Sequence, residues 1–149
     1  MTEMAPLVPR MGSAADEADQ IVTVLLVSPT ENDHSALAKI VERNPIDGGS
    51  LQWSLCRTTN VTAALARLED SEIPIVICEQ QLGDESWRDV LEGIARLRRP
   101  PFLVVTSRLA DNYLWAEALN LGAFDVLAKP FYSDEVIRTL GSAWRRWTN

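Results

Sequence analysis

Four apolar runs of this 149-residue chain end abruptly in polar residues. Val27 gives way to Ser28-Pro29, Cys78 to Glu79, Val105 to Thr106-Ser107, and Ala128 to Lys129-Pro130. Brought together, Glu79, Thr106 and Lys129 would set a carboxylate, a hydroxyl and an ammonium in one charged crevice. The residues for other chemistry are scarce. The single His34 has no evident Ser or Cys partner for nucleophilic catalysis. With only Cys56 and Cys78 beside it, neither a His/Cys metal cluster nor a disulfide framework is expected, and a reducing compartment follows. No Gly-rich phosphate loop follows the first run, where Ser28-Pro29 stands, which argues against nucleotides. No enzymatic activity is expected.

The elements that must position these residues alternate along the chain. The runs 21–27, 51–56, 73–78, 102–105 and 123–128 read as five strands, most of them apolar on both faces, as buried parallel strands are. Helical periodicity marks 31–43, 60–69, 86–98, 110–120 and 134–147, for example Leu37, Ile40 and Val41, then Val61, Ala64, Leu65 and Leu68. Thr59 or Asn60 could cap one helix, Gly122 follows another, and Ser133 with Asp134 and Glu135 opens the last. Strict alternation forces right-handed crossovers, so the fold expected is α/β, a doubly wound five-stranded parallel sheet with five helices. Function in such sheets gathers beyond the carboxyl ends of the strands, where the polar residues stand.

Composition bounds the partners. Fourteen basic against 21 acidic residues give a net charge of −7, which does not supply the clustered Lys and Arg that phosphate backbones demand, so direct nucleic-acid binding is not expected. No run approaches the about 20 apolar residues of a membrane span, and no secretory signal opens the chain. A cytoplasmic protein is expected, with residues 1–20 as a flexible acidic leader and 21–149 as one domain.

The segment Leu121-Gly122-Ala123-Phe124-Asp125-Val126-Leu127-Ala128-Lys129-Pro130-Phe131 resembles the strand-five region of the receiver domains of bacterial two-component response regulators. The likeness spans about residues 20 to 147 and implies a flavodoxin-like sheet of order 2-1-3-4-5. In that family an Asp ending strand three accepts a phosphoryl group, two acids after strand one hold Mg²⁺, a Thr or Ser ends strand four, and a strand-five Lys neutralises charge. The matching positions here are Glu79 for the acceptor, Ser28 and Pro29 for the acidic pair, Thr106 for the hydroxyl and Lys129 for the cation.

The departures carry chemical consequences. Ser28 offers a neutral hydroxyl and Pro29 no side-chain ligand, so Mg²⁺ binding should be weak or absent and no cofactor is expected. Without the metal, phosphorylation should be slow or absent. Glu79, one methylene longer than Asp, could imitate a phosphorylated Asp through a standing ion pair with Lys129. The family's aromatic switch position, three residues before the Lys, is Val126, which has no polar tip to exchange. Trp115 resembles a position on the family's output face of helix four, strand five and helix five.

The expectation is therefore a stand-alone pseudo-receiver that contacts a signalling protein, or a second copy as a homodimer, through that face. Alternatives are a phosphorylatable receiver with unconventional metal use, and a small-molecule-binding α/β module. Glu31 and Asp33 are read as acids favoured by the helix dipole rather than ligands, His34 as a solvated surface group, Asp84 as a helix cap, and both cysteines as buried hydrophobes.

Overall fold

A computed structural model describes residues 20–46, 49 and 51–149, so the leader expected over residues 1–20 lies, save Gln20, outside the described residues. Five parallel strands form the main sheet in the order β2-β1-β3-β4-β5: β1 Ile21–Val27, β2 Gln52–Thr58, β3 Ile75–Glu79, β4 Phe102–Ser107 and β5 Asp125–Ala128. Five helices connect and close it: α1 Glu31–Arg43, α2 Val61–Asp70, α3 Trp87–Ile94, α4 Asn112–Leu121 and α5 Ser133–Thr148.

Period-two alternation sends successive strand residues into two separate cores. Leu25, Val27, Val76, Cys78, Leu103, Val105 and Val126 pack under α2, α3 and α4. Val24, Leu26, Ile75, Ile77, Val104 and Leu127 pack under α1 and α5. Both faces of the central strands are covered, which is why they read as unbroken apolar runs.

Local chemistry sets the element ends. Asn60 accepts from Ala63 N at 2.8 Å and opens α2. Gly122 closes α4 with φ 111°, a left-handed value that suits a residue without a Cβ. The third strand starts at Ile75 and not at Ile73, because Pro74 between them has no N–H for the ladder. The second strand runs on to Thr58 because Arg57 and Thr58 pair in register with Leu26 and Val27. The third helix stops at Ile94, short of 98, in a turn where Leu97 N donates to Ile94 O at 3.0 Å, ahead of Pro100-Pro101.

A two-residue hairpin, Gln81–Leu82 with Glu85–Ser86, interrupts the path from β3 to α3. Asp84 sits in its turn and is not the helix cap. That task falls to Ser86, which accepts from Arg88 N, while Asp89 accepts from Ser86 N at 2.9 Å in a reciprocal capping box.

Candidate functional site

The carboxyl ends of β1, β3, β4 and β5 meet as the parallel register requires. Glu79 pairs with Thr106 across β3 and β4, and Thr106 with Leu127 across β4 and β5. Lys129 follows β5 by one residue, and its backbone N donates to Ser107 O at 3.0 Å, which fixes the root of the side chain above the sheet.

Two carboxylates close around one nitrogen, and two hydroxyls bond those carboxylates in turn. Lys129 Nζ is ion-paired with Glu79 Oε1. It also lies 3.0 Å from Asp33 Oδ2 and 3.3 Å from Oδ1. Thr106 Oγ1 donates to Glu79 Oε1 at 3.4 Å, and the fully buried Ser28 donates from Oγ to Asp33 Oδ2 at 2.7 Å. The side chains of Lys129, Asp33 and Glu79 are 10%, 9% and 14% exposed. Burial alone would lower the lysine pKa, but the bonds and charges of Glu79 and Asp33 outweigh it, so Lys129 is held above its ordinary value and stays an ammonium.

Sequence reading set Asp33 aside as a helix-dipole acid. It does lie in the first turn of α1, yet it is buried at 7% exposure and turns into the crevice. His34, expected as a solvated surface group, is also buried; its Nε2 lies 2.8 Å from Ser28 O. Both corrections have one cause. Only Ser28 and Pro29 separate β1 from Thr30, the residue that starts the helix, so the inner side of its first turn faces the sheet end rather than solvent. Glu31, on the outer side, pairs with Arg57 at 3.7 Å. A helical period carried back from Leu37 and Val41 places 33 and 34 on the same buried side, and that was the available signal.

The remaining positions separate. Pro29 is exposed and belongs to no polar contact in the crevice. Val126 is 5% exposed and points into the core beneath α4. Trp115 lies on α4, away from the crevice, at 42% exposure, with Tyr113 and Leu119 also exposed on the same helix. Cys78 is buried against the sheet, and burial, followed by the neighbouring Glu79 charge, pushes its thiol far up, so it stays protonated. Cys56 is half-buried, with Arg67 Nε 3.1 Å from its sulfur.

A divalent ion such as Mg²⁺ requires several hard oxygen ligands near octahedral geometry. Here the ammonium already bonds both carboxylates, Ser28 gives its proton to one of them, and Pro29 has no donor atom. The donor set does not fit such an ion. Among the described residues no group of three or more His, Cys, Asp or Glu could hold a metal, and no helix is long and apolar enough to cross a membrane.

Transcriptional regulatory protein KdpE of Mycobacterium tuberculosis is 38% identical over 74 residues, half of this chain and 32% of that protein, so the chain matches about a third of the relative's length. The signal receiver domain of an HD domain-containing protein from Pseudomonas fluorescens superposes with a TM-score of 0.73 at 22% identity, covering 87% of this chain and 98% of that one. The beryllofluoride-activated NtrC4 receiver domain dimer gives 0.72 at 18% identity, covering 84% and 98%. Residues 24–140 match the response regulator receiver domain family, and the chain belongs to that family.

Proposed function

We propose that this chain is an atypical receiver of two-component signalling that works without phosphoryl transfer and catalyses nothing. The observation that carries the reading is the placement of Lys129 between Glu79 and Asp33, with no donor set for a divalent ion. Phosphoryl transfer to a carboxylate depends on cations that neutralise donor and acceptor together. Among the described residues the Lys129 ammonium is committed to two carboxylates, which leaves the cluster net negative toward an incoming anionic donor. Glu79 stands permanently where the family carries a transient phosphoryl group, and its contacts to Thr106 and Lys129 are those that the modified acceptor would make. The protein acts in the cytoplasm.

Incubation of the protein with acetyl phosphate and millimolar Mg²⁺, followed by intact mass measurement, tests this. No phosphoryl adduct is expected under conditions that fully modify an ordinary receiver. A stable adduct at Glu79 overturns the reading.

The signal leaves through contacts on α4, β5 and α5. The only charged residue of α4, Glu117, is ion-paired with Arg88 of α3, so the outer side of the helix, with Tyr113, Trp115, Ala116 and Leu119, carries no charge. Large exposed aromatics are favoured at interaction surfaces. The NtrC4 receiver is itself described as a dimer, which supports a second copy as one partner for this face. Trp115→Ala is expected to weaken self-association about tenfold or more, measured by analytical ultracentrifugation, with unchanged thermal stability. An unaltered dissociation constant removes Trp115 from the interface.

A further inference from the structure

We propose that Asp33 is a positioning residue that holds Lys129 in the crevice jointly with Glu79, so that a resident ammonium fills the space among the site's oxygens. This deepens the reading above and rests on it, because it identifies what keeps the crevice in one state without a metal or a phosphoryl group.

The geometry distinguishes Asp33 from an ordinary first-turn acid. Both its carboxylate oxygens lie within hydrogen-bond distance of Lys129 Nζ, at 3.0 and 3.3 Å. Ser28 Oγ fixes Oδ2 from the other side at 2.7 Å. The Ser28 hydroxyl is itself held, since it accepts from Thr30 N at 3.2 Å, and the Ser28 carbonyl meets His34 Nε2 at 2.8 Å. Each of these groups lies in the β1–α1 connection or the first turn of α1, so the carboxylate has little freedom to leave.

Asp33 stands five residues beyond Ser28, past the family's acidic-pair positions, and on a helix rather than at a strand end. Its contact with Lys129, 96 residues away in sequence, joins α1 to the connection between β5 and α5. Withdrawal of Asp33 leaves the Lys129 side chain held by Glu79 alone, and withdrawal of Lys129 leaves two carboxylates without their shared cation.

The chain has two lysines, Lys39 exposed on α1 and Lys129 in the crevice, so each sample contains its own reference. Limited reductive methylation followed by peptide mass mapping gives the ratio of their rates. In the unmodified protein Lys129 is expected to react far more slowly than Lys39. Asp33→Asn should raise the Lys129/Lys39 ratio severalfold, because the amine loses the carboxylate that lies 3.0 and 3.3 Å from it, and Asp33→Glu should restore much of the protection.

Glu79→Gln provides an arm that leaves Asp33 untouched. If Asp33 shares the ammonium, Lys129 remains protected in Glu79→Gln and reaches the Lys39 rate only in the double variant. A ratio unchanged by Asp33→Asn, or Glu79→Gln alone freeing Lys129 as fully as the double variant, overturns the proposal. A phosphoryl adduct on the unmodified protein would instead overturn the phosphorylation-independent reading and leave these labelling ratios as they are.

Discussion

Trp87→Ala is expected to destabilise the domain by about 3–5 kcal/mol, the largest loss from any single truncation here. Trp87 is fully buried and is the largest such side chain. It opens α3 directly beneath the crevice, packed in the core that α2 and α4 share with Leu82, Val90 and Val105. Its backbone N donates to Gln80 O at 3.1 Å, one residue past Glu79, so the start of α3 is tied to the segment that carries the acidic group. The indole leaves a cavity that its neighbours cannot refill, because the Ser86–Asp89 capping box fixes the start of the helix and the hairpin fixes its approach. Urea unfolding should show a lower midpoint at an unchanged slope. A loss below about 1 kcal/mol would mean that the core collapses around the site and that Trp87 does not support the crevice.

Much of this architecture could be read from residue order. Strands with both faces covered announce themselves as apolar runs, and Ile21–Val27 and Glu31–Arg43 stand where periodicity puts them. The convergence of Glu79, Thr106 and Lys129 also followed, since parallel strands deliver their carboxyl ends to one side. What escaped was Asp33. An acid in the first turn of a helix has a sufficient local explanation in the dipole, and that explanation obscured the inward direction of the same turn. His34 follows it, because a polar residue beside an acid suggests solvent, whereas the buried side of the helix traced back from Leu37 includes it. Asp84 reads as a cap because a hairpin of two-residue strands has no period to detect, whereas the capping task falls two residues on, to Ser86. The errors fall where one turn of helix or one turn of chain decides a side chain's direction, below the resolution of periodicity over longer windows.

Lys129→Met is expected to cost about 3 kcal/mol, at the lower end of what orphaning a buried charge costs. The substitution keeps the length and the apolar stem but removes the cation that bonds both Asp33 and Glu79, whose side chains are 9% and 14% exposed. Two carboxylates then face each other with little solvent to screen them. Adding Glu79→Gln to Lys129→Met should recover part of the loss, because one of the unpaired charges disappears. The pH dependence has a definite sign. Lys129 is raised above 10.5 in the folded protein, so its contribution is complete below the unfolded value and is lost as pH rises through the folded one. Unfolding free energies measured from neutral pH upward should therefore differ by a constant amount between the two proteins until about pH 10.5, then converge as the wild type loses its ammonium. Curves that stay parallel through that range would show that the ammonium is not what stabilises the crevice, and the case for a resident cation there would fail with it.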